Sequence, residues 1–172
     1  MKKLYSVIAF ITLAATPNMY TMDPQRHPLF NLMDQFIGTS DTATNWDAIF
    51  ALLKKLSAEG NAFTANEYLT QDGLTLLSKA AEDNNVLAAR KLLALWSAKP
   101  NAATISNGTT PLMIASFNGN IEMVRLLMKY GANPNIKNNA GKDSFYFTER
   151  YYQMNPNIQN RNLLNILRSY NP

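Results

Sequence analysis

The segment 108–135, GTTPLMIASFNGNIEMVRLLMKYGANPN, constrains what this chain can fold into more than any other stretch. Thr110, Pro111 and Leu112 start a short helix. A threonine hydroxyl caps free N–H groups, and proline in the first turn gives up no hydrogen bond. Gly119 and Asn120 stop that helix. A second one carries Ile121, Val124, Leu127 and Met128, and Gly131 follows it where a left-handed C-cap is expected. One such helix pair cannot bury its own apolar face, so the unit demands neighbours of its own kind.

The neighbours are in the sequence. Thr75, Leu77, Ala80, Asn85 and Leu92 recur as Thr110, Leu112, Ala115, Asn120 and Leu127, each 35 positions on. Pro100-Asn101 and Pro134-Asn135 stand 34 apart, which places the loss of one residue near Trp96. Gly141 begins a further unit 33 residues after Gly108, with Leu163, Leu164, Ile166, Leu167 and Tyr170 on its second helix. Arg161, Arg168 and several asparagines keep the other face of that helix polar, as the end of a stack requires. Upstream, the apolar positions 29–37 and 46–56 form a divergent first pair, with Asp41 or Asn45 as the cap of its second helix. The period predicts an all-α, short solenoid of about four helix-turn-helix repeats, approximately 29–65, 66–101, 102–135 and 136–170.

Composition narrows the function. Of 172 residues, 47% are hydrophobic and 16% charged, which suits one compact domain and excludes general disorder. The formal charge is +4; without Lys2 and Lys3 it falls to 14 bases against 12 acids, or +2. No basic cluster interleaves with aromatics, so nucleic acid is not an expected partner. With no cysteine, disulfides, thiolate metal sites and a cysteine nucleophile are excluded. His27 stands alone in a proline-containing stretch, without the partners that hydrolysis or metal binding needs. Glu59, Glu67, Asp72, Glu82, Asp83, Glu122, Asp143 and Glu149 are spread across the repeats with no metal-site spacing, and read as surface residues.

The N-terminus reads as a signal peptide over residues 1–16. Lys2 and Lys3 precede an apolar run from Leu4 to Ala15, and small residues and Pro17 follow. The run is shorter than the roughly 20 residues of a spanning helix, so the mature chain is expected to have no membrane span. Residues 17–28 form an irregular leader, and 29–172 the folded domain. The expected destination is the periplasm or the outside of the cell.

The repeat resembles the ankyrin family. Gly108, Thr110-Pro111-Leu112-Met113, Ala115-Ser116, Gly119, Leu126-Leu127 and Gly131-Ala132-Asn133-Pro134-Asn135 follow that family's order of motifs. The departures are Met113 for histidine, Ser116 for alanine and Asn133 for aspartate. In the preceding unit, Thr75 and Ala80 keep the pattern, while Leu76, Ser78 and Asn84 replace proline, histidine and glycine. The match is strong over residues 72–141.

The resemblance implies β-hairpin-like finger loops between repeats, at 66–72, 101–107 and 135–140. It implies a protein partner held by those fingers and by the concave face of the first helices. Carried onto this chain, the candidate contacts are Ser78, Lys79, Glu82, Met113, Ser116, Phe117 and Asn118 on the helices, and Asn138 and Asn139 on a finger. Phe117 is the expected anchor, unless its ring packs instead against Glu82 and Asn84. The aromatics Phe145, Tyr146, Phe147, Tyr151 and Tyr152 form either the packed end of the stack or a second contact surface.

The expected function is a non-catalytic, monomeric protein–protein interaction module without cofactor or metal. The alternatives are an inhibitor or small enzyme on the same scaffold, or a structural envelope component.

Overall fold

The computed structural model describes Phe36, residues 44–58, Asn66, residues 73–156 and residues 158–170. The signal-like stretch, the leader with His27, nearly all of the helix expected at 29–37 and most of the loop at 66–72 lie outside the described residues. The chain divides into two compact units, 1–63 with 69–71 and 64–68 with 72–172.

In the first unit, helix α1 (Trp46–Ala58) is the described element. Asn45 caps it, its side-chain oxygen accepting from the Ala48 N–H at 3.1 Å. Ile49, Leu52 and Leu53 are buried, at the spacing of one helical face.

Among the described residues, the second unit contains six helices: α2 (Leu76–Glu82), α3 (Val86–Leu95), α4 (Pro111–Phe117), α5 (Ile121–Lys129), α6 (Ser144–Met154) and α7 (Ile158–Ser169). Helices α2, α4 and α6 pack in that order along one side, and α3, α5 and α7 along the other. Each first helix also packs on its own second helix. The unit is therefore three stacked helix pairs, as the period requires.

The capping chemistry repeats with the fold. Thr75, Thr110 and Asp143 cap the first helices, accepting from the N–H of Ser78, Met113 and Tyr146 at 3.1, 3.3 and 3.0 Å. Asn85 and Asn120 cap the second helices, each with a 2.9 Å bond to the N–H three residues on. Side-chain oxygens thus satisfy helix-start donors that have no backbone partner. The core is a column of leucines and alanines: Leu76, Ala80, Leu92, Leu112, Ala115 and Leu127 expose nothing. Burying each leucine stabilises the fold by roughly 1.5–3 kcal/mol.

The shift from a 35- to a 34-residue offset lies at the end of α3. There the Ala98 N–H reaches back six residues to the Leu92 carbonyl at 3.1 Å, whereas at the end of α5 the Ala132 N–H reaches back five, to Leu127, at 3.0 Å. The α3 terminus holds one extra residue. Its left-handed position falls on Ser97, φ 50°, where the α5 terminus has Gly131, φ 86°.

The loops at 101–107 and 135–140 are not the β-hairpin-like fingers expected from the resemblance: among the described residues no strand forms. The loops close on side chains instead. In one, the Thr104 N–H bonds to the Thr109 carbonyl at 2.9 Å, but the Thr109 N–H turns to Thr104 Oγ1 and Asn107 Oδ1, each at 3.0 Å. In the next, the Asn138 N–H bonds to the Lys142 carbonyl at 2.9 Å, while the Lys142 N–H goes to Asn138 Oδ1 at 3.0 Å. The oxygens of Asn and Thr take the donors a second rung would need, and each ladder ends after one bond. No helix among the described residues is long and apolar enough to cross a membrane.

Candidate protein-binding surface

Asparagine side chains tie the repeats together at their edges. Asn66 donates to the Ser97 carbonyl at 3.2 Å and accepts from the Lys99 N–H. One repeat later, Asn101 donates to the Gly131 carbonyl at 3.1 Å and accepts from the Asn133 N–H at 2.7 Å. Each side chain thus bridges two backbone groups in the loop that ends the next second helix. Asn118 donates to the Ala81 carbonyl at 3.2 Å, and Asn120 to Asn84 Oδ1 at 3.3 Å, across the turns of neighbouring pairs. The Asn139 N–H meets the Asn107 carbonyl at 3.0 Å. The broad asparagine content of the chain has a structural use here that composition could not reveal.

This scaffold sorts the candidate contact residues by depth. Ser78, Met113 and Ser116 have no accessible surface. They lie inward because the third and sixth positions after a first-helix cap point into the stack. Met113 fills with apolar volume the place where the family's histidine would hydrogen-bond, and Ser78 Oγ accepts from Thr75 Oγ1 at 3.1 Å. Ser116 Oγ is buried without a hydrogen-bond partner. Of the loop candidates, Asn138 spends its side-chain oxygen on the Ala140 and Lys142 N–H groups, and Asn139 is exposed.

Lys79, Glu82, Phe117 and Asn118 remain accessible in whole or part. Lys79 sits between two carboxylates, 2.9 Å from Glu82 and 3.2 Å from Asp83. Burial pulls its ammonium pKa down, but these two acids outweigh that effect and hold it above the ordinary lysine value. Phe117 is 48% exposed at the end of α4. Its ring stands edge-on to Phe147 of α6, centroids 6.3 Å apart. Phe147 in turn meets Tyr146 edge-on at 5.5 Å, and Lys142 Nζ lies 4.2 Å from the centre of the Tyr146 ring. Tyr146 is 42% exposed.

The C-terminal aromatics therefore divide between two roles. Tyr151 turns inward over the α4–α5 turn, where a β-carbon on Gly119 would meet its ring. Tyr146 and Phe147 join Phe117 in a partly exposed cluster that spans two repeats. Sequence reasoning singled out Phe117 and the later aromatics separately. Their union follows from the stacking of α4 on α6, which brings together residues 30 positions apart (117 and 147).

The motif residues serve packing. Thr75, Ala80, Thr110, Pro111, Leu112, Ala115, Leu126 and Leu127 are buried, whereas Gly108, Gly119 and Gly131 hold positive φ at turns. Among the described residues, no group of three or more His, Asp or Glu side chains gathers where a metal ion could be held.

Comparison with known proteins agrees with this architecture. No curated protein matches the chain. A family model described as ankyrin repeats (3 copies) matches residues 42–138, more than half of the sequence. Helices α1 to α5 and their caps lie within that match, and the chain belongs to the ankyrin-repeat family.

Proposed function

We propose that the chain is a non-catalytic module that binds a protein partner through its first-helix face and the loops beside it. The observation that carries this reading is the cluster of Phe117, Tyr146 and Phe147. Two of its rings are nearly half exposed although the helices beneath them are fully packed. Large aromatics held rigidly at a surface supply contact area at small entropic cost, and such residues dominate interface energies. Phe117 is the anchor of this surface; Lys79, Glu82, Asn118 and Asn139 form its polar surroundings.

The module works after export, in the periplasm or outside the cell, with residues 1–16 removed. The support is the basic pair Lys2-Lys3, the apolar run behind it and the small residues after that run. The test is to express the full chain in a cell that exports it, recover it by fraction, and read its N-terminus by mass spectrometry. Capture of partners from that fraction by wild-type and Phe117→Ala protein then tests the surface. Protein found only in the cytoplasm at full length contradicts export. Equal capture by both proteins contradicts the aromatic surface.

A further inference from the structure

Positive charge and exposed apolar surface gather at the same end of the stack. The two helices of each pair run in opposite directions, so second helices end and first helices begin where the inter-repeat loops lie. Those loops are tied side by side, Asn101 to the backbone of Gly131 and Asn133, and the Asn139 N–H to the Asn107 carbonyl. The loops 96–110 and 130–143, with the last turns of α5 and α7, carry Lys99, Lys129, Lys137, Lys142 and Arg168. The acid among them is Asp143, which caps α6. Lys142 is half-buried over the Tyr146 ring. Lys99, Lys129, Lys137 and Arg168 are exposed, and none makes an ion pair among the described residues. A helix C-terminus favours Lys129 and Arg168 by itself, but Lys99 and Lys137 lie beyond the helices.

The other acids described in this unit lie elsewhere. Glu82 and Asp83 stand at the turn after α2, Glu122 in the first turn of α5, and Glu149 midway along α6 beside Arg150. The loop before α2, with Glu67 and Asp72, lies outside the described residues. Four large apolar residues open at the basic end. Leu95 is the last residue of α3, Tyr130 and Tyr170 directly follow α5 and α7, and Ile105 stands in the loop 96–110. Leu95 and Ile105 are 72% and 59% exposed, more open than Phe117. A β-carbon on Gly73 would lie 2.5 Å from that of Ile105, so the base of this side chain rests on the preceding repeat although the residue faces solvent.

We propose that this loop end docks on the surface of a bilayer containing anionic phospholipid. The cations meet the headgroups, and Leu95, Ile105, Tyr130 and Tyr170 enter the interfacial layer. Lysine and arginine are drawn to a negative lipid surface, and tyrosine settles where one end of its ring is apolar and the other wet. Leu95 and Ile105 favour lipid over nucleic acid, which binds cations and stacks on rings but gains little from aliphatic side chains. The inference goes beyond the protein-binding function and does not depend on it, because Phe117 ends α4 at the opposite end of the stack.

The chain has no cysteine, so one introduced thiol can carry an environment-sensitive fluorophore. Full-length Ile105→Cys and Leu87→Cys proteins are labelled; Leu87 is exposed in the first turn of α3, away from the loops. On vesicles of equal parts phosphatidylglycerol and phosphatidylcholine, the Ile105 probe is expected to shift to the blue and the Leu87 probe to stay unchanged. The apolar run 4–15 is common to both proteins and does not produce that difference. Lys129→Glu with Lys137→Glu, its fold checked by circular dichroism, is expected to need about tenfold more lipid for the same shift. Phe117→Ala is expected to leave the shift as it is, which separates this surface from the protein-binding one. No shift at Ile105, an equal shift at Leu87, or an unchanged lipid requirement in the charge variant overturns the proposal. An equal shift on phosphatidylcholine alone also overturns it. A response of the Ile105 probe to soluble polyglutamate but not to vesicles identifies an acidic polypeptide as the occupant and overturns the membrane assignment.

Discussion

A β-carbon placed on Gly119 would lie 2.2 Å from both Cε1 and Cζ of Tyr151. The last helix pair rests its ring directly on the turn between α4 and α5, in space that glycine alone leaves free. Gly119 also holds φ 65°, a conformation that costs other residues about 1–2 kcal/mol. Gly119→Ala therefore combines backbone strain with overpacking and is expected to destabilise the fold by about 2–4 kcal/mol in urea denaturation. Combining it with Tyr151→Ala relieves the steric part alone, so the double variant loses less than the sum of the singles. Additive losses would show that the ring does not rest on this turn.

Ser97 occupies at the end of α3 the left-handed position that Gly131 occupies at the end of α5. Its carbonyl, which accepts from Asn66, survives any change of side chain. Ser97→Gly is expected to raise stability by about 0.5–1 kcal/mol, against the usual cost of adding a glycine. A lower melting temperature would contradict this account of the cap.

Ser116 and Ser144 each bury a hydroxyl with no hydrogen-bond partner. The residue 35 positions before Ser116 is Ala81, equally buried. Removing an unsatisfied buried polar atom recovers its desolvation cost, so Ser116→Ala is expected to stabilise the protein by about 1 kcal/mol. Destabilisation of that size would mean the hydroxyl has a partner in solution.

Asn101 bridges Gly131 and Asn133 of the next repeat with two bonds. Asn101→Ala is expected to cost about 1–2 kcal/mol and to speed hydrogen exchange at the Asn133 amide more than at core amides of α5. Unchanged exchange at Asn133 would remove this bridge from the account.

The scaffold was legible in the sequence because its determinants are local. Thr110 with Pro111, Asn120 and Gly131 act within a few residues of themselves, and the 33- to 35-residue period multiplies them. The loops were misjudged because Asn and Thr oxygens compete with backbone ladders, so a turn-rich loop does not become a hairpin by analogy. The contact face was only half legible. Departures from the family's pattern at Ser78, Met113 and Ser116 looked like binding signals, yet those positions point into the stack, where substitutions answer to packing. The Phe117–Phe147 contact and the asparagine bridges join residues about 30 positions apart, which local patterns do not encode.

The central claim is that binding resides on the aromatic first-helix face, and two matched truncations test it most directly. Phe117 on α4 and Leu87 on α3 are both large exposed apolar residues, 48% and 63% accessible, on opposite sides of the stack. Affinity for a captured partner is measured for Phe117→Ala and Leu87→Ala alongside wild type. The account predicts a loss of about tenfold or more for Phe117→Ala, the effect of roughly 1.4 kcal/mol, and none beyond twofold for Leu87→Ala. Wild-type affinity in Phe117→Ala, or an equal loss in both variants, would contradict it.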